Sequence, residues 1–198
     1  KFSFNKSKSK GTVLIGSGIS STHITNSMIK ITSNSTCEGF AEGGDFCGTK
    51  TNYKIYFAAE FDESSSSTGT WIKDKISHNS TTAFGKDSGA YFTFDSDKDV
   101  NYRVAISYVS IENAKENLVA SSIEGGFSAY KANAEKAWDN NLSKISVKSP
   151  SRDRLIQFYT HLYHSLIHPN IISDVNGAYM GSDFKIHQTL GEEQYSSF

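Results

Sequence analysis

Three histidines, His161, His164 and His168, fall at i, i+3 and i+7 of a stretch with helical apolar spacing, so they share one helix face. Imidazoles one turn apart can share a zinc ion. Such a site also needs a third or fourth ligand and groups to orient the rings, and the sequence nominates neither. At about 100° per residue, this face lies nearly opposite the stripe Leu155, Phe158, Tyr159, Leu162, Tyr163, Leu166 and Ile167. It also holds Arg154, Gln157 and Ser165, so it reads as the polar side of an amphipathic helix. Asp95-x-Asp97-x-Asp99 opens like a calcium-binding EF-hand loop. Val100 stands where glycine is needed and Ile106 where a bidentate glutamate belongs, so the run reads as an exposed turn between strands. No metal ligand is assigned.

The glycine-rich segment Glu38–Gly48 is the best candidate for touching a substrate. Its four glycines let backbone approach a ligand closely. Asp45 offers an acceptor for a hydroxyl and Phe46 a stacking face, with Cys47 and Gly48 beside them. The alternative is a surface loop between strands. No strand–GxxxxGK[ST]–helix pattern accompanies the glycines, so phosphate cradling is set aside. The ten-residue separation of Cys37 and Cys47 permits a disulfide but does not require one. Asp174, Asp183, Glu192 and Glu193 are carboxylates without a feature that marks a tuned acid, and turn-stabilising hydrogen bonds are the simpler role for the first two. No catalytic residue is assigned.

The elements that must position these residues change character along the chain. Alternation predicts strands over His23–Ile31, Tyr53–Phe61, Ala90–Phe94 and Val100–Val109, separated by Gly, Ser, Asn and Asp clusters. Ser64–Gly69 (SSSSTG) reads as the least structured connection. The pattern predicts an α+β protein, an antiparallel β-sandwich followed by linker α-helices. Ser110 is the N-cap of a short helix, and a second covers Ser128 to about Ile145. A third begins near Ser149-Pro150 and runs to His168, before Pro169. The organisation expected is a sandwich over 1–110, a helical linker over 111–170, and a turn-rich segment over 171–198. That last segment has three glycines and no sustained period, so it is expected to be poorly anchored.

Composition narrows the partners. An aromatic fraction of 13%, mostly 13 Phe and 10 Tyr, suits a strand-built core. A net charge of −1 gives no electrostatic reason for nucleic acid or an anionic membrane. No run of 18 apolar residues exists to span a bilayer. The start, KFSFNKSKSKG, lacks the apolar middle of a signal peptide.

The stretch Phe158–His187, FYTHLYHSLIHPNIISDVNGAYMGSDFKIH, resembles the junction segment of glycoside hydrolase family 92 α-mannosidases. There, an FYT-x-LYHSLL-x-PN helix and a DV-x-G-x-Y-x-G-x-D turn lead from a β-sandwich into a catalytic helical barrel. The resemblance extends back through Ile106–Ala114, Asn117-Leu118, Phe127 and Trp138, and through Tyr53–Phe61 and Gly69–Trp71. It implies an exo-acting, inverting, calcium-dependent α-mannosidase acting on mannose-containing glycans. On that resemblance the acid, base and calcium ligands belong to an (α/α) barrel following Phe198, and the segment here is non-catalytic. Phe46-Cys47-Gly48 resembles a family segment whose cysteine is usually unpaired. His164 and His168 match family positions and His161 does not, which implies packing or hydrogen bonding at the junction. The implied setting is bacterial and exported: periplasmic, cell-surface or secreted. A different class, a free-standing carbohydrate-binding or adhesive sandwich, requires an exposed aromatic row on a strand face. Trp71 and Trp138 are the tryptophans available, and Trp138 reads as helix core.

Overall fold

The computed structural model describes residues 1–5, 8–16, 23–45, 48, 51–95, 97 and 99–196. Its first part is built from strands: β1 (Phe2–Ser3), β2 (Lys10–Gly16), β3 (His23–Ile31), β4 (Thr36–Gly44), β5 (Asn52–Phe61) and β6 (Ser67–Ile72). β7 (Lys75–His78), β8 (Thr82–Phe84), β9 (Ser88–Asp95), β10 (Asp99–Val100) and β11 (Tyr102–Ser107) follow. Helices α1 (Ile111–Ala120), α2 (Gly126–Leu142) and α3 (Arg152–Ser165) come next, then the hairpin β12 (Ala178–Met180) and β13 (Ile186–Gln188). A five-stranded sheet, β11-β5-β4-β3-β8, faces a four-stranded one, β2-β9-β6-β7, and all pairings are antiparallel. This is the α+β sandwich that the alternation predicts.

Period-two patterning turns one side of each strand into the space between the sheets. Ala90, Phe92 and Phe94 of β9 are at most 2% exposed, and meet Ile29, Ile31, Ala59 and Phe61 from the other sheet. Phe61 sits at the centre, with ring centroids 5.0 Å from Phe92, Phe94 and Tyr102. A second, smaller core lies on the outer face of the five-stranded sheet, where Ala114 and Leu118 of α1 pack on Ala58 and Ala105. Ser110 does cap α1: its hydroxyl accepts from Asn113 N at 3.0 Å. Lys115 then reaches across to Glu38 on β4 at 2.6 Å.

Several elements differ from the sequence expectation. Glu38–Gly44 is no loop; it belongs to β4, the middle strand of its sheet. A Cβ at Gly39 would stand 2.0 Å from Met28 O, so that glycine serves close strand approach. The serine run is also structured. Ser65 is buried, and its N and Oγ both donate to Asn34 O, while Ser66 N donates to Thr93 O and Ser67 begins β6. The strand expected over Val100–Val109 breaks at Asn101, whose N and Nδ2 donate to the Asp62 carboxylate. α3 starts after Ser151, whose hydroxyl accepts from Arg154 N, so Pro150 precedes the cap rather than filling the first turn. The Leu155–Ile167 stripe is not buried. Leu155, Phe158, Tyr159 and Leu162 are half-covered, with Tyr163 against Trp138 of α2 at 4.5 Å, while Leu166 and Ile167 are exposed. One neighbouring helix is too narrow to cover a seven-residue stripe.

Cys37 is a free thiol on the core side of β4. Cys47 lies outside the described residues. Burial, then the Glu38 charge, push the Cys37 thiol from 9.0 up to about 12. The unfolded chain therefore releases this proton first, and the fold holds more protons between pH 9 and 12. Stability should fall as pH rises through that window. Denaturant melts on either side of pH 9 should show a shallower alkaline loss for Cys37→Ala than for wild type. Equal slopes would mean that Cys37 is not the titrating group.

Candidate functional site

Asp45 and Gly48 sit in the β4–β5 connection, exposed, with φ of 57° and 75°. Asp45 N donates to Thr51 O at 2.9 Å and Gly48 N to Asp45 O at 3.3 Å. The other two candidate substrate contacts, Phe46 and Cys47, lie outside the described residues. His161, His164 and His168 are all exposed on or just beyond α3. His164 lies tilted against Tyr163 with ring centroids 5.6 Å apart, and His168 Nδ1 lies 3.4 Å from Asn170 Nδ2. Asp97 is exposed in the turn between β9 and β10, and Asp99, also exposed, begins β10 and pairs with Lys1 at 2.7 Å. Among the described residues, no group of three or more His, Cys, Asp or Glu side chains could hold a metal ion.

The constellation the sequence did not reveal is built around Asp174. This carboxylate is 6% exposed, although it belongs to the segment expected to be poorly anchored. Oδ2 accepts from Ser107 Oγ at 2.7 Å and Asn113 Nδ2 at 2.8 Å, and Oδ1 from Asn117 Nδ2 at 2.7 Å. Val175 N in turn donates to Asn117 Oδ1 at 2.9 Å, and Asn176 Nδ2 to Glu116. The end of β11, one face of α1 and the Asp174–Gly177 turn are thus one polar cluster. The Asp174–Asn176 turn docks on α1 and the end of β11 instead of hanging free. Only the spacing of Asn113 and Asn117, one turn apart on α1, hints at this in the sequence.

Asp183 takes the turn role expected of it. It accepts from Lys185 N at 3.1 Å and contacts His187 Nε2 at 2.9 Å, which holds its carboxyl below the usual carboxylate value. Beside α1 and α2, an open cleft is lined by Glu60, Asp62, Asn101, Arg103, Phe127 and Tyr130. Most of its polar walls are engaged with one another, while Asn101 Oδ1 is buried without a hydrogen-bond partner among the described residues. Arg103 bonds Glu60 and Tyr130, which raises its pKa, and Tyr130 Oη donates to Ser121 O at 2.6 Å.

Two family models divide the chain at the turn between β11 and α1. The Glycosyl hydrolase family 92 N-terminal domain matches residues 1–107, more than half of the chain, and the Glycosyl hydrolase family 92 catalytic domain matches residues 113–198. The chain belongs to glycoside hydrolase family 92. The Asp174 cluster therefore stitches together two segments of family 92 sequence, Ser107 from the first and Asn113, Asn117 and Asp174 from the second. Solved family 92 structures carry the same fold. The α-mannosidase BT3965 from Bacteroides thetaiotaomicron superimposes with a TM-score of 0.77 at 24% identity, over 94% of this chain and 28% of that one. A second BT3965 structure is a complex with mannoimidazole. The family 92 glycosyl hydrolase ccman5 gives 0.84 at 22% identity, over 99% and 26%. The inverting mannosidase BT2199, also from Bacteroides thetaiotaomicron, gives 0.78 at 22%, over 93% and 25%. At these identities the likeness establishes the fold. The family 92 chain described here spans about a quarter of the length of those structures. No curated protein sequence matches it.

Proposed function

We propose that this chain is the sandwich and junction of an exo-acting, inverting, calcium-dependent α-mannosidase that removes α-linked mannose from glycans. The observation that carries this reading is the pair of family 92 matches in N-to-C order. The Asp174 cluster, which ties the second match to the first, supports it. The mannosidases among the solved relatives, one of them with mannoimidazole bound, support mannose as the sugar. In the parent enzyme, a catalytic (α/α) barrel would supply the acid, the base and the calcium. Inverting hydrolysis needs one carboxylic acid to protonate the leaving oxygen and one carboxylate to activate water, about 6.5–9.5 Å apart. Asp174 is committed to three donors and Asp183 to a turn, so neither is available for that work.

Large apolar side chains left open on the helical side support a barrel as neighbour. Ile156, Leu166 and Ile167 on or just past α3, and Ile171 and Val175 after it, are each 39% exposed or more. Export to the periplasm, cell surface or medium belongs to the same proposal and suits an enzyme that trims external glycans. The 198-residue chain should release no mannose from α-linked mannosides, with or without calcium. Calcium-dependent turnover by the homogeneous chain would overturn the assignment of the chemistry to a following barrel.

A further inference from the structure

The outer face of the four-stranded sheet is not used by the mannosidase reading. Its register aligns Leu14, Tyr91, Gly69 and His78 in one row across β2, β9, β6 and β7. The next row is Gly16, Gly89, Trp71 and Ile76. Glycine beside each aromatic lets the ring lie down on the sheet. A Cβ at Gly89 would stand 2.0 Å from Trp71 Cζ2, and one at Gly16 2.9 Å from the same atom. A Cβ at Gly69 would meet the Tyr91 ring at 2.6 Å. The indole thus rests on the backbone of β9 and β2, and the phenol on that of β6. Both residues are half-buried, with one ring face against glycine and the other toward solvent. His78 Nδ1 pins Tyr91 Oη at 2.7 Å. Rings already held in place lose little freedom when a ligand stacks on them.

The surroundings indicate what would stack. Leu14 and Ile76, 68% and 59% exposed, form apolar shoulders. Lys73 and Asp74, at the β6–β7 turn, line the shallow clefts beside Trp71. One cation, Lys73, and two anions, Asp74 and Asp87, line these clefts. Charges this few and of both signs match neither an anionic nor a cationic polymer, so charge complementarity favours a neutral ligand rich in hydroxyls. A pyranose has that chemistry, with C–H groups on its faces and hydroxyls at its edge. α1 covers the outer face of the other sheet, so this face looks away from the Asp174 junction. We infer that the outer face of the four-stranded sheet binds a neutral glycan. One pyranose stacks on Trp71 and another on Tyr91, and their hydroxyls reach Lys73 and Asp74. This activity would concentrate the chain on a polysaccharide and does not depend on the mannosidase reading.

Affinity electrophoresis of the 198-residue chain through gels containing soluble α-mannan or β-glucan tests the inference, because it reads binding and not hydrolysis. Wild type should be retarded by at least one of the two. Trp71→Ala and Tyr91→Ala should each weaken retardation about tenfold, as loss of an aromatic stacking partner does. Trp138→Ala, between the helices, should leave it unchanged. Because Trp71→Ala could unfold the sheet, a second measurement keeps Trp71 intact. The chain has two tryptophans, so in Trp138→Phe the emission is that of Trp71 alone, and it should shift to the blue as the binding polysaccharide is added. No retardation of wild type, or no emission change, overturns the inference. So does a concentration-dependent dimer in sedimentation that Leu14→Asp dissolves, because a second copy would then own this face.

Discussion

Phe61→Ala should destabilise the sandwich by about 3–5 kcal/mol, the cost of removing a large ring from a packed core. The ring is 5% exposed and contacts Phe92, Phe94 and Tyr102 at 5.0 Å, from both sheets and from the edge strand β11. No neighbour can close the space alone, because each is held by its own strand. For a chain of this size that loss lowers Tm by roughly 6–20 °C. Val119→Ala, on the exposed side of α1 at 74% exposure, should stay within roughly half a kcal/mol of wild type. Similar losses for the two variants in a denaturant melt would mean that Phe61 is not where the sheets meet.

Asp174→Ala should detach the C-terminal segment rather than soften the sandwich. It removes the acceptor for Ser107 Oγ, Asn113 Nδ2 and Asn117 Nδ2 and leaves those partly or fully buried donors without it. Hydrogen bonds to a charged group contribute about 1.5–3 kcal/mol each and are not additive, so a total near 3–5 kcal/mol is expected. Hydrogen exchange carries the signature. The amide of Val175, which donates to Asn117 Oδ1, and those of β12 and β13 should lose protection, while β9 keeps its own. Asp174→Asn should fall between, since one amide oxygen can satisfy only part of the donor set. Uniform loss of protection across β9 and the hairpin would show that the cluster belongs to the global fold and is not a local clasp.

The strands that sequence reading found, β3, β5 and β9, are those in which β-branched and aromatic residues alternate. α1 was found because Ser110 and its apolar spacing are local signals. β4 is hard to read because Gly39, Gly43 and Gly44 look like turn chemistry, and only the neighbouring chain leaves no room for a Cβ at Gly39 and Gly44. β6 was hidden behind serines whose hydroxyls and amides bond Asn34 and Thr93, some thirty residues away. The same limit applies to the sites. Asp45 and Gly48 could be nominated from composition, and in the fold both stand exposed in the β4–β5 connection. Asp174 could not be nominated, since a buried carboxylate with three distant donors looks identical in sequence to a solvated one. Tyr91 was missed as a platform residue because its pairing with Gly69 and its contact with His78 exist only in register.

By itself, the sequence determined the class of this protein, its membership of family 92 through the 158–187 stretch, and the change from strands to helices near Ser110. Those are properties of short windows, where periodicity, capping and motif order are all present in the chain. Tertiary structure decided which glycines are strand and which are turn, that the Asp174–Asn176 turn holds to the sandwich and α1, and that α3 keeps an uncovered apolar side. It also laid Trp71 and Tyr91 flat on one face. Each of those depends on groups far apart in sequence coming within a few ångströms, and the free energy of such a contact is carried by the pair and not by either residue alone.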